Sequence, residues 1–335
     1  MAWSGEAVAT QPPFSDHDEP GLSAALRTVF DMPATAPDHL HLDWAVGVLG
    51  GDLVAVTGLR DGGAPWLIET RRASDARALR GVLRLAPASQ STSSTAREHA
   101  GMAVAARGGV PVPNVLGETV LDDTALLLVE FLPGSSAQPA TPDAGRLRAL
   151  GAVAAAIFAL SPKRGEATRL PRVGHPIPSI DFAALRAEAR PQPLMARAES
   201  RVADLGTPND PVGFVHGDLW SGNTLWHGGR LSAVLDWDCT GIGAAGIDLG
   251  SLRCDAAMCY GLDAADGVLA GWQDAAGHAA ASVAYWDVVA ALSTPPDIAW
   301  FAPAIAGMTH RPDLTASVLR ERRDAFLADA LDRLS

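Results

Sequence analysis

The sequence has 335 residues, of which 48% are hydrophobic and 19% are charged, and its formal net charge at pH 7 is −12. This length and hydrophobicity suit one large domain or two packed lobes, and they exclude a disordered or collagen-like chain. Because an acidic protein repels phosphate backbones and anionic lipid surfaces, we expect neither nucleic acid nor a membrane among its partners.

Cysteine usage and the lack of targeting signals point to a reducing compartment. Cys239, Cys254 and Cys259 form no CxxC pair, which argues against a disulfide framework and against a structural zinc site. The N-terminus has no basic and apolar export signal, and no apolar run approaches the ~18 residues of a membrane span. We therefore expect a cytoplasmic protein.

The N-terminal part of the chain is rich in strand patterns. Residues 1–22 are polar and contain prolines, so we expect a loose leader there. After the leader, the segments with strand character are 53–59, 65–71, 81–86, 110–120 and 124–132. A turn at Gly62 and Gly63 joins the first two, and the polar run 89–95 leads into a helix over 96–107.

Helical patterns dominate the rest of the chain. Alanine- and leucine-rich runs cover 146–160 and 182–189, and helices return after Gly246. The sequence therefore predicts an α+β fold of two lobes. Residues 23–132 would form a strand-rich, nucleotide-binding N-lobe, and residues 133–335 would form a helical C-lobe with one inserted hairpin.

The segment between these helices contains polar residues that are candidates for catalysis and metal binding. HGDLWSGN (216–223) follows a short apolar strand, and a hairpin around Gly228 and Gly229 then leads to Asp236. Because the hairpin folds the chain back, Asn223 and Asp236 should nearly face each other, with Asp218 on the adjoining loop. Two oxygen ligands beside a separate carboxylate are what magnesium-dependent phosphoryl transfer from a nucleotide requires.

This segment resembles the aminoglycoside phosphotransferase and choline kinase superfamily, which has the protein-kinase fold. HGDLWSGN is similar to the HxDxxxxN catalytic loop, and VLDWD is similar to the strand that ends in the metal-binding aspartate. Other segments resemble family motifs in the family's order, over about residues 50 to 260: GVLRLA, TAREH, GVPVPNVL, LLLVEFLPG and AAGIDLGSL.

The resemblance implies roles for residues of the catalytic segment. Asp218 would be the catalytic base or would orient the acceptor hydroxyl, and His216 would brace the loop. Asn223 and Asp236 would bind Mg²⁺. ATP, favoured over GTP, would donate the phosphoryl group to a hydroxylated small molecule.

The resemblance also implies a nucleotide site in the N-lobe. Arg84 would clamp phosphate where the family usually has lysine, Glu98 would be its helix partner, and backbone groups from Glu130 to Leu132 would contact adenine. The chain has a single lysine, Lys163, which lies in the helical part. The two-residue period of a strand supports the choice of Arg84, because its leucine neighbours would face the opposite side.

Other interpretations of the same residues remain open from sequence. Glu98 could form a capping box with Thr95 at a helix start instead of an ion pair. Asp248 is interpreted as a helix N-cap behind the catalytic loop, and Asp238 as a solvated carboxylate. His216, Asp218 and Asp236 could instead be ligands of a hydrolase metal site, or the loop could be structural.

The acceptor can be predicted only by class. Residues 211–335 contain fifteen acidic side chains and seven arginines, which is −8 of the net −12. This excess suits a cationic acceptor such as an aminoglycoside or another amino sugar, with antibiotic resistance as the biological outcome, although acidic helices also serve solubility. The alternative function is a pseudokinase or ligand-binding module of the same fold.

Overall fold

The computed structural model describes residues 36–60 and 63–334, so the leader expected at 1–22 and the turn residue Gly62 lie outside the described residues. The strands are β1 (Asp52–Arg60), β2 (Gly63–Arg71), β3 (Ala78–Pro87), β4 (Val115–Leu121), β5 (Thr124–Glu130), β6 (Val212–Val215), β7 (Thr224–His227), β8 (Arg230–Val234) and β9 (Gly241–Ala244).

The helices alternate with these strands and then follow them. They are α1 (His39–Leu49), α2 (Ala88–Arg107), α3 (Ala144–Phe158), α4 (Arg164–Ala167), α5 (Phe182–Glu188), α6 (Pro193–Leu205), α7 (Gly246–Tyr260), α8 (Leu262–Ala276), α9 (Val283–Leu292), α10 (Ile298–Thr309) and α11 (Ala316–Arg333). None of the helices in the described ranges is both long enough and apolar enough to span a bilayer. The α+β class with a strand-rich N-terminal part is confirmed.

The first five strands form one antiparallel sheet in the order β1-β2-β3-β5-β4. Strand β5, which lies between β3 and β4, is buried along Ala125–Val129, because α1 covers one face of the sheet and the larger core covers the other. Leu128 packs towards α1, whereas Leu127 packs into the larger core. Burial on both faces explains why this strand is a continuous apolar run.

Helix α1 is an element that sequence analysis did not predict. It begins with a capping box, in which Asp38 accepts the backbone N–H of His41 at 3.0 Å. Ala45 is fully buried against Ile68 and Leu83 of the sheet. Seven of its eleven residues are apolar, but Leu40 and Val48 among them are exposed. The stability of this helix therefore comes from packing on the sheet more than from its own pattern.

Helix α2 begins eight residues earlier than predicted, at Ala88 instead of residue 96. Serine and threonine are poorer helix formers than alanine, by up to about 0.7 kcal/mol per residue, but the run 89–95 contains no glycine or proline that would prevent helix formation. The helix also contacts the C-terminal half closely. A Cβ on Gly101 would lie 2.6 Å from the Thr240 side chain, and Arg107 makes a bidentate ion pair with Glu166. These contacts fix α2 between the two halves.

The C-terminal half packs around α7. Helices α3, α7 and α8 share the largest buried core with the β7–β8 hairpin, including Trp226 and Trp237. The hairpin forms as predicted, with Thr224 paired to Val234 and the turn at Gly228 and Gly229. The three cysteines are free and buried. This core forms the rigid base on which the catalytic loop lies.

Candidate active site

Helix α7 holds the start of the catalytic loop through one carboxylate. Asp248 accepts the backbone N–H groups of His216 and Gly217 at 2.7 and 2.8 Å. The residue lies inside the first turn of α7, whose N-cap is Ala245, so the N-cap interpretation is wrong and the bracing interpretation is right. Burial raises the pKa of Asp248, and the two N–H groups favour its charged form.

His216 is fully buried and both of its ring nitrogens are used. Nε2 lies 2.8 Å from the carbonyl oxygen of Leu235, and Nδ1 accepts the backbone N–H of Asp218 at 3.2 Å. Burial lowers the pKa of His216, so the imidazole stays neutral with Nε2 as donor. The ring therefore joins the loop to the hairpin. This arrangement argues against His216 as a ligand of a hydrolase metal site.

Asp218 and Asn223 contact each other across the loop. The Asn223 amide nitrogen donates to the backbone oxygen of Asp218 at 2.9 Å and to its carboxylate at 3.1 Å. Burial, together with the negative charges of Asp236 and Asp238, raises the pKa of Asp218 well above its usual value. A carboxylate in this environment accepts a proton more readily than a solvated aspartate.

Asp236 lies where the hairpin returns to the loop. Leu235 donates its N–H to the Asn223 carbonyl at 2.8 Å. Asn223 is therefore bonded to the residue that precedes Asp236, as the predicted hairpin requires. Asp236 adopts the left-handed conformation, with φ 66° and ψ 61°. Few side chains tolerate that conformation, and aspartate is one that does. The turn directs the chain into the short 3₁₀ segment Trp237–Cys239.

Arg84 connects the sheet to this turn. Its Nη1 lies 2.6 Å from Glu98 Oε1 and its Nη2 lies 2.6 Å from Asp236 Oδ1. The side chains are 31% exposed for Arg84, 6% for Glu98 and 19% for Asp236. Although burial opposes it, the negative charges of Asp236 and Glu98 raise the pKa of Arg84. The guanidinium thus stays charged between the two carboxylates.

Glu98 belongs to an ion pair and not to a capping box. Helix α2 starts at Ala88, so Thr95 lies within the helix and not at its N-cap. Burial raises the pKa of Glu98 to about 7, whereas the charge of Arg84 lowers it. The pKa of Glu98 consequently lies near neutral pH, and the charge of Arg84 stabilises its ionised form.

Asp238 is not the solvated carboxylate that the sequence predicts. It is half-buried in the 3₁₀ segment, and burial followed by the charge of Asp236 raises its pKa. The sequence DWD, in which Asp238 lies two residues after Asp236, is the pattern that could have indicated that both carboxylates lie in the site. Asp218, Asp236 and Asp238 therefore concentrate negative charge beside Arg84, which is a setting that favours a divalent cation.

The donor atoms at this point fit magnesium better than zinc. Among the residues that the structure describes, no group of three or more His, Cys, Asp and Glu side chains is arranged to hold a metal ion. Asp236 and Asn223 instead offer one carboxylate and one amide oxygen. Magnesium commonly takes one or two protein carboxylates and completes its shell with phosphate oxygens and water.

The segment expected to contact adenine lies at the end of β5. Glu130 pairs with Gly81, three residues along β3 from Arg84, which is a distance of about 10 Å. The Glu130 N–H already donates to the Asn114 carbonyl at 2.8 Å, and the Glu130 carboxylate accepts from the Asn114 amide at 2.7 Å. Leu132 lies two residues beyond Glu130, the last residue of the strand, on the segment that leaves the sheet.

The structure brings together most of the residues that sequence analysis selected. Arg84, Glu98 and Asp236 are in direct contact, and Asp218 and Asn223 adjoin them. Glu130 and Leu132 lie further along the sheet edge. The roles implied for these residues depend on what binds there.

Comparison with known proteins agrees with this geometry. The family model for the phosphotransferase enzyme family, APH, matches residues 64–292. No curated protein matches the chain. Among solved structures, the macrolide 2′-phosphotransferase MphH from Brachybacterium faecium is 22% identical, with a TM-score of 0.57. The match covers 83% of this chain and 97% of that one.

Two further solved structures contain nucleotides. Spectinomycin phosphotransferase APH(9)-Ia, in complex with ADP and spectinomycin, is 12% identical with a TM-score of 0.55, covering 88% of this chain and 94% of that one. A thermostable mutant of aminoglycoside phosphotransferase APH(4)-Ia, with AMP-PNP and hygromycin B, is 15% identical with a TM-score of 0.54, covering 85% and 97%. At these identities the structures show a common fold. Because the family model spans most of the chain, the protein belongs to the phosphotransferase enzyme family.

Proposed function

We propose that the protein transfers the γ-phosphoryl group of ATP to a hydroxyl of a small, cationic acceptor such as an aminoglycoside or another amino sugar. The observation that carries this proposal is the meeting of Arg84, Asp218, Asn223 and Asp236 at one point between the sheet and α7. A structural loop would not need a buried carboxylate, a neighbouring amide oxygen and a guanidinium together.

Arg84 would hold the phosphates of the nucleotide. Its planar fork can bind two phosphate oxygens at once, where a lysine acts as a point charge. Glu98 would keep the guanidinium on the correct side of the sheet, since their contact is 2.6 Å. The backbone between Glu130 and Leu132 would contact adenine at the other end of the nucleotide.

Asn223 and Asp236 would hold Mg²⁺ with the phosphate oxygens. When bound, the ion would neutralise charge on the transferred phosphoryl group. Asp236 is fixed in a left-handed turn and Asn223 is tied to the loop through Asp218. These two ligands are therefore rigid, as a metal with strict octahedral preference requires.

Asp218 would orient the acceptor hydroxyl and accept its proton. Its carboxylate accepts a hydrogen bond from Asn223, which leaves it directed into the site while the amide limits its rotation. Its raised pKa makes it a better proton acceptor than an ordinary aspartate once the substrate is present. His216 and Asp248 would position the loop and would not contact substrate.

The choice of a cationic acceptor follows from local charge. The negative charges of Asp236 and Asp238 both act on Asp218, and residues 211–335 carry fifteen acidic side chains against seven arginines. A field of this sign attracts protonated amines and repels anionic acceptors. Since the related solved structures contain antibiotics, resistance or self-protection would be the outcome of the reaction.

A panel of hydroxylated compounds tests the function. Aminoglycosides, neutral sugars, nucleosides and choline-like alcohols are compared by magnesium-dependent ADP release, and products are identified by the mass of one added phosphoryl group. We expect a cationic acceptor to give turnover that Asp218→Asn lowers by ~10² to 10⁴ with the fold intact. Nucleotide binding without turnover on any acceptor would favour the binding-module alternative. Turnover only with neutral or anionic acceptors would contradict the proposed class.

A further inference from the structure

Asp255 is a second carboxylate by which α7 contacts the catalytic loop. It lies seven residues after Asp248, so both side chains lie on the same face of the helix. Asp248 binds the start of the loop, whereas Asp255 Oδ2 accepts the backbone N–H of Ser221 at 3.1 Å. The helix therefore holds the loop on both sides of Asp218.

Ser221 is the residue from which the end of the loop is built. It begins the 3₁₀ turn Ser221–Asn223, and its carbonyl accepts the Thr224 hydroxyl at 2.7 Å. The next bond in the turn joins the Asn223 N–H to the carbonyl of Trp220 at 3.1 Å. The backbone at Ser221 thus determines where the Asn223 amide points, and that amide contacts Asp218.

The surroundings of Asp255 make an incidental surface contact a poor explanation. The carboxylate lies on the wall of a small cavity that Arg146, Ser221 and Tyr260 also line. Burial raises the pKa of Asp255, which means that its charge is costly there. Its second oxygen faces the Cys259 thiol, a weak donor at 3.8 Å. The Ser221 N–H is the stronger of these two bonds to the carboxylate.

The hydroxyl of Ser221 also lies beside the Asp255 carboxylate. Ser221 is 2% exposed, and its side chain helps to lower the pKa of Asp255, but its Oγ makes no well-directed hydrogen bond to a described residue. The backbone N–H of Ser221 donates to Asp255 at 3.1 Å. The directed link between the helix and the loop is therefore the backbone bond, and a variant that removes only the hydroxyl must be compared with it.

We propose that Asp255 is a positioning residue for phosphoryl transfer. By accepting the Ser221 N–H, it holds the 3₁₀ turn that presents Asn223 and, through the Asn223 amide, the carboxylate of Asp218. The kinetic part of this inference rests on the proposed function, but its structural part does not. Asp255 itself contacts the loop backbone and no reacting atom.

Four variants separate the backbone link from other effects. Asp255→Ala removes the acceptor, whereas Asp255→Asn keeps an oxygen that can accept the same N–H. Ser221→Pro removes the donor N–H, and Ser221→Ala removes only the hydroxyl. Proline is suited to this position, because Trp220 before it is extended, with φ −143° and ψ 170°, and the first position of a helical turn needs no N–H bond within the turn.

Hydrogen exchange on the full-length protein gives a readout that requires no turnover. We expect the backbone N–H of Asn223, which donates to Trp220 in the 3₁₀ turn, to exchange at least tenfold faster in Asp255→Ala and Ser221→Pro. The backbone amides of α3 and α8 should be unchanged. Asp255→Asn should stay within threefold of the unmodified protein. Ser221→Ala, which loses the hydroxyl beside Asp255 but keeps the backbone N–H, should exchange at least threefold more slowly than Ser221→Pro. In the phosphotransfer assay, the first two variants should lower kcat at least tenfold while changing KM for ATP less than threefold.

The double variant Asp255→Ala with Ser221→Pro completes the test. Because both changes remove one bond, the double variant should be no worse than the poorer single variant. Additive losses, an Asn223 amide that exchanges as in the unmodified protein, or loss of protection throughout α7 and α3 would each overturn the inference. If no acceptor is phosphorylated by the unmodified protein, the proposed function fails and the hydrogen-exchange comparison still decides the role of Asp255.

Discussion

Arg84 and Asp236 are joined by an ion pair of 2.6 Å although they lie 152 residues apart in the chain. The same guanidinium contacts Glu98 at 2.6 Å through its other nitrogen. One side chain therefore bridges the sheet, helix α2 and the turn after the hairpin. A planar fork with diverging donors is suited to this geometry, whereas a lysine ammonium would act as a compact point charge.

Replacing Arg84 should affect nucleotide and metal binding in opposite directions. Arg84→Gln should weaken ATP binding at least tenfold, about 1.4 kcal/mol, because a charged phosphate contact is lost. The same change should strengthen binding of Mn²⁺ in the absence of nucleotide, because Asp236 loses its cationic partner. Calorimetry with ATP and electron paramagnetic resonance with Mn²⁺ measure the two effects.

Arg80 provides the matched control for that experiment. It lies on the same strand but pairs with Glu69 at the exposed surface, at 2.7 Å, and surface pairs of this kind contribute little. Arg80→Gln should therefore leave both affinities within threefold, and Arg84→Lys should keep part of the ATP affinity. Equal, small effects at Arg80 and Arg84 would show that Arg84 does not contact phosphate.

Asn223 and Asp236 should act on one metal ion. Alanine at either position should raise the Mg²⁺ concentration needed for half-maximal activity, and the double variant should lose less than the sum of the two losses. Asp238→Asn is the comparison, since Asp238 is nearby but is not a proposed ligand. An equal rise in the Mg²⁺ requirement for Asp238→Asn would show that Asp238 also binds the metal ion. Additive losses for Asn223 and Asp236 would show that they do not bind the same ion.

Local sequence patterns are enough to predict how the segment 216–236 folds back on itself. The hairpin around Gly228 brings Asn223 close to Asp236 by covalent spacing alone, and the two-residue strand period directs Arg84 away from Leu83. Contacts that depend on how distant elements pack are not predictable in this way. Helix α1 is one such case, because its stability comes from burying Ala45 on the sheet.

Electrostatic environment is equally hard to predict from local patterns. The sequence predicts a solvated Asp238, but α2 packs over its 3₁₀ segment and buries it. Sequence analysis does not select Asp255, although its seven-residue spacing from Asp248 on a helix is visible in the chain. In both cases the missing information is which face of an element meets the catalytic loop.

Gly217 should be intolerant of any side chain. Its φ is +86°, and a Cβ there would lie 2.1 Å from the backbone oxygen of Cys239, a position that cannot shift without moving the 3₁₀ segment. Gly217→Ala should lower the free energy of unfolding by about 3 kcal/mol or more. Urea denaturation measures the loss, and activity should fall with it.

Gly228→Ala separates conformational strain from steric overlap. Gly228 also has positive φ, +56°, but within the described part of the chain no atom outside its chain neighbours lies within 4 Å of the position that a Cβ would take there. Its replacement should lower the free energy of unfolding by only about 1 kcal/mol. Comparable losses for the two variants would mean that the approach of Gly217 to Cys239 is relaxed at little cost.

The protonation of Glu98 should make stability depend on pH in a defined window. Burial raises its folded-state pKa to about 7, above the usual 4.5, so the folded protein holds a proton that the unfolded chain releases between these values. The resulting contribution is complete below pH 4.5 and is lost as pH rises to about 7. Glu98→Gln, which cannot titrate, lacks this contribution. The stability of the unmodified protein relative to this variant should therefore fall by up to about 3 kcal/mol across the window.

Urea denaturation of both proteins at pH 5 and pH 8 measures the difference, and Glu69→Gln, at an exposed ion pair, controls for loss of a surface contact. A constant difference between the two pH values would show that Glu98 is ionised throughout and that Arg84 fully offsets its burial.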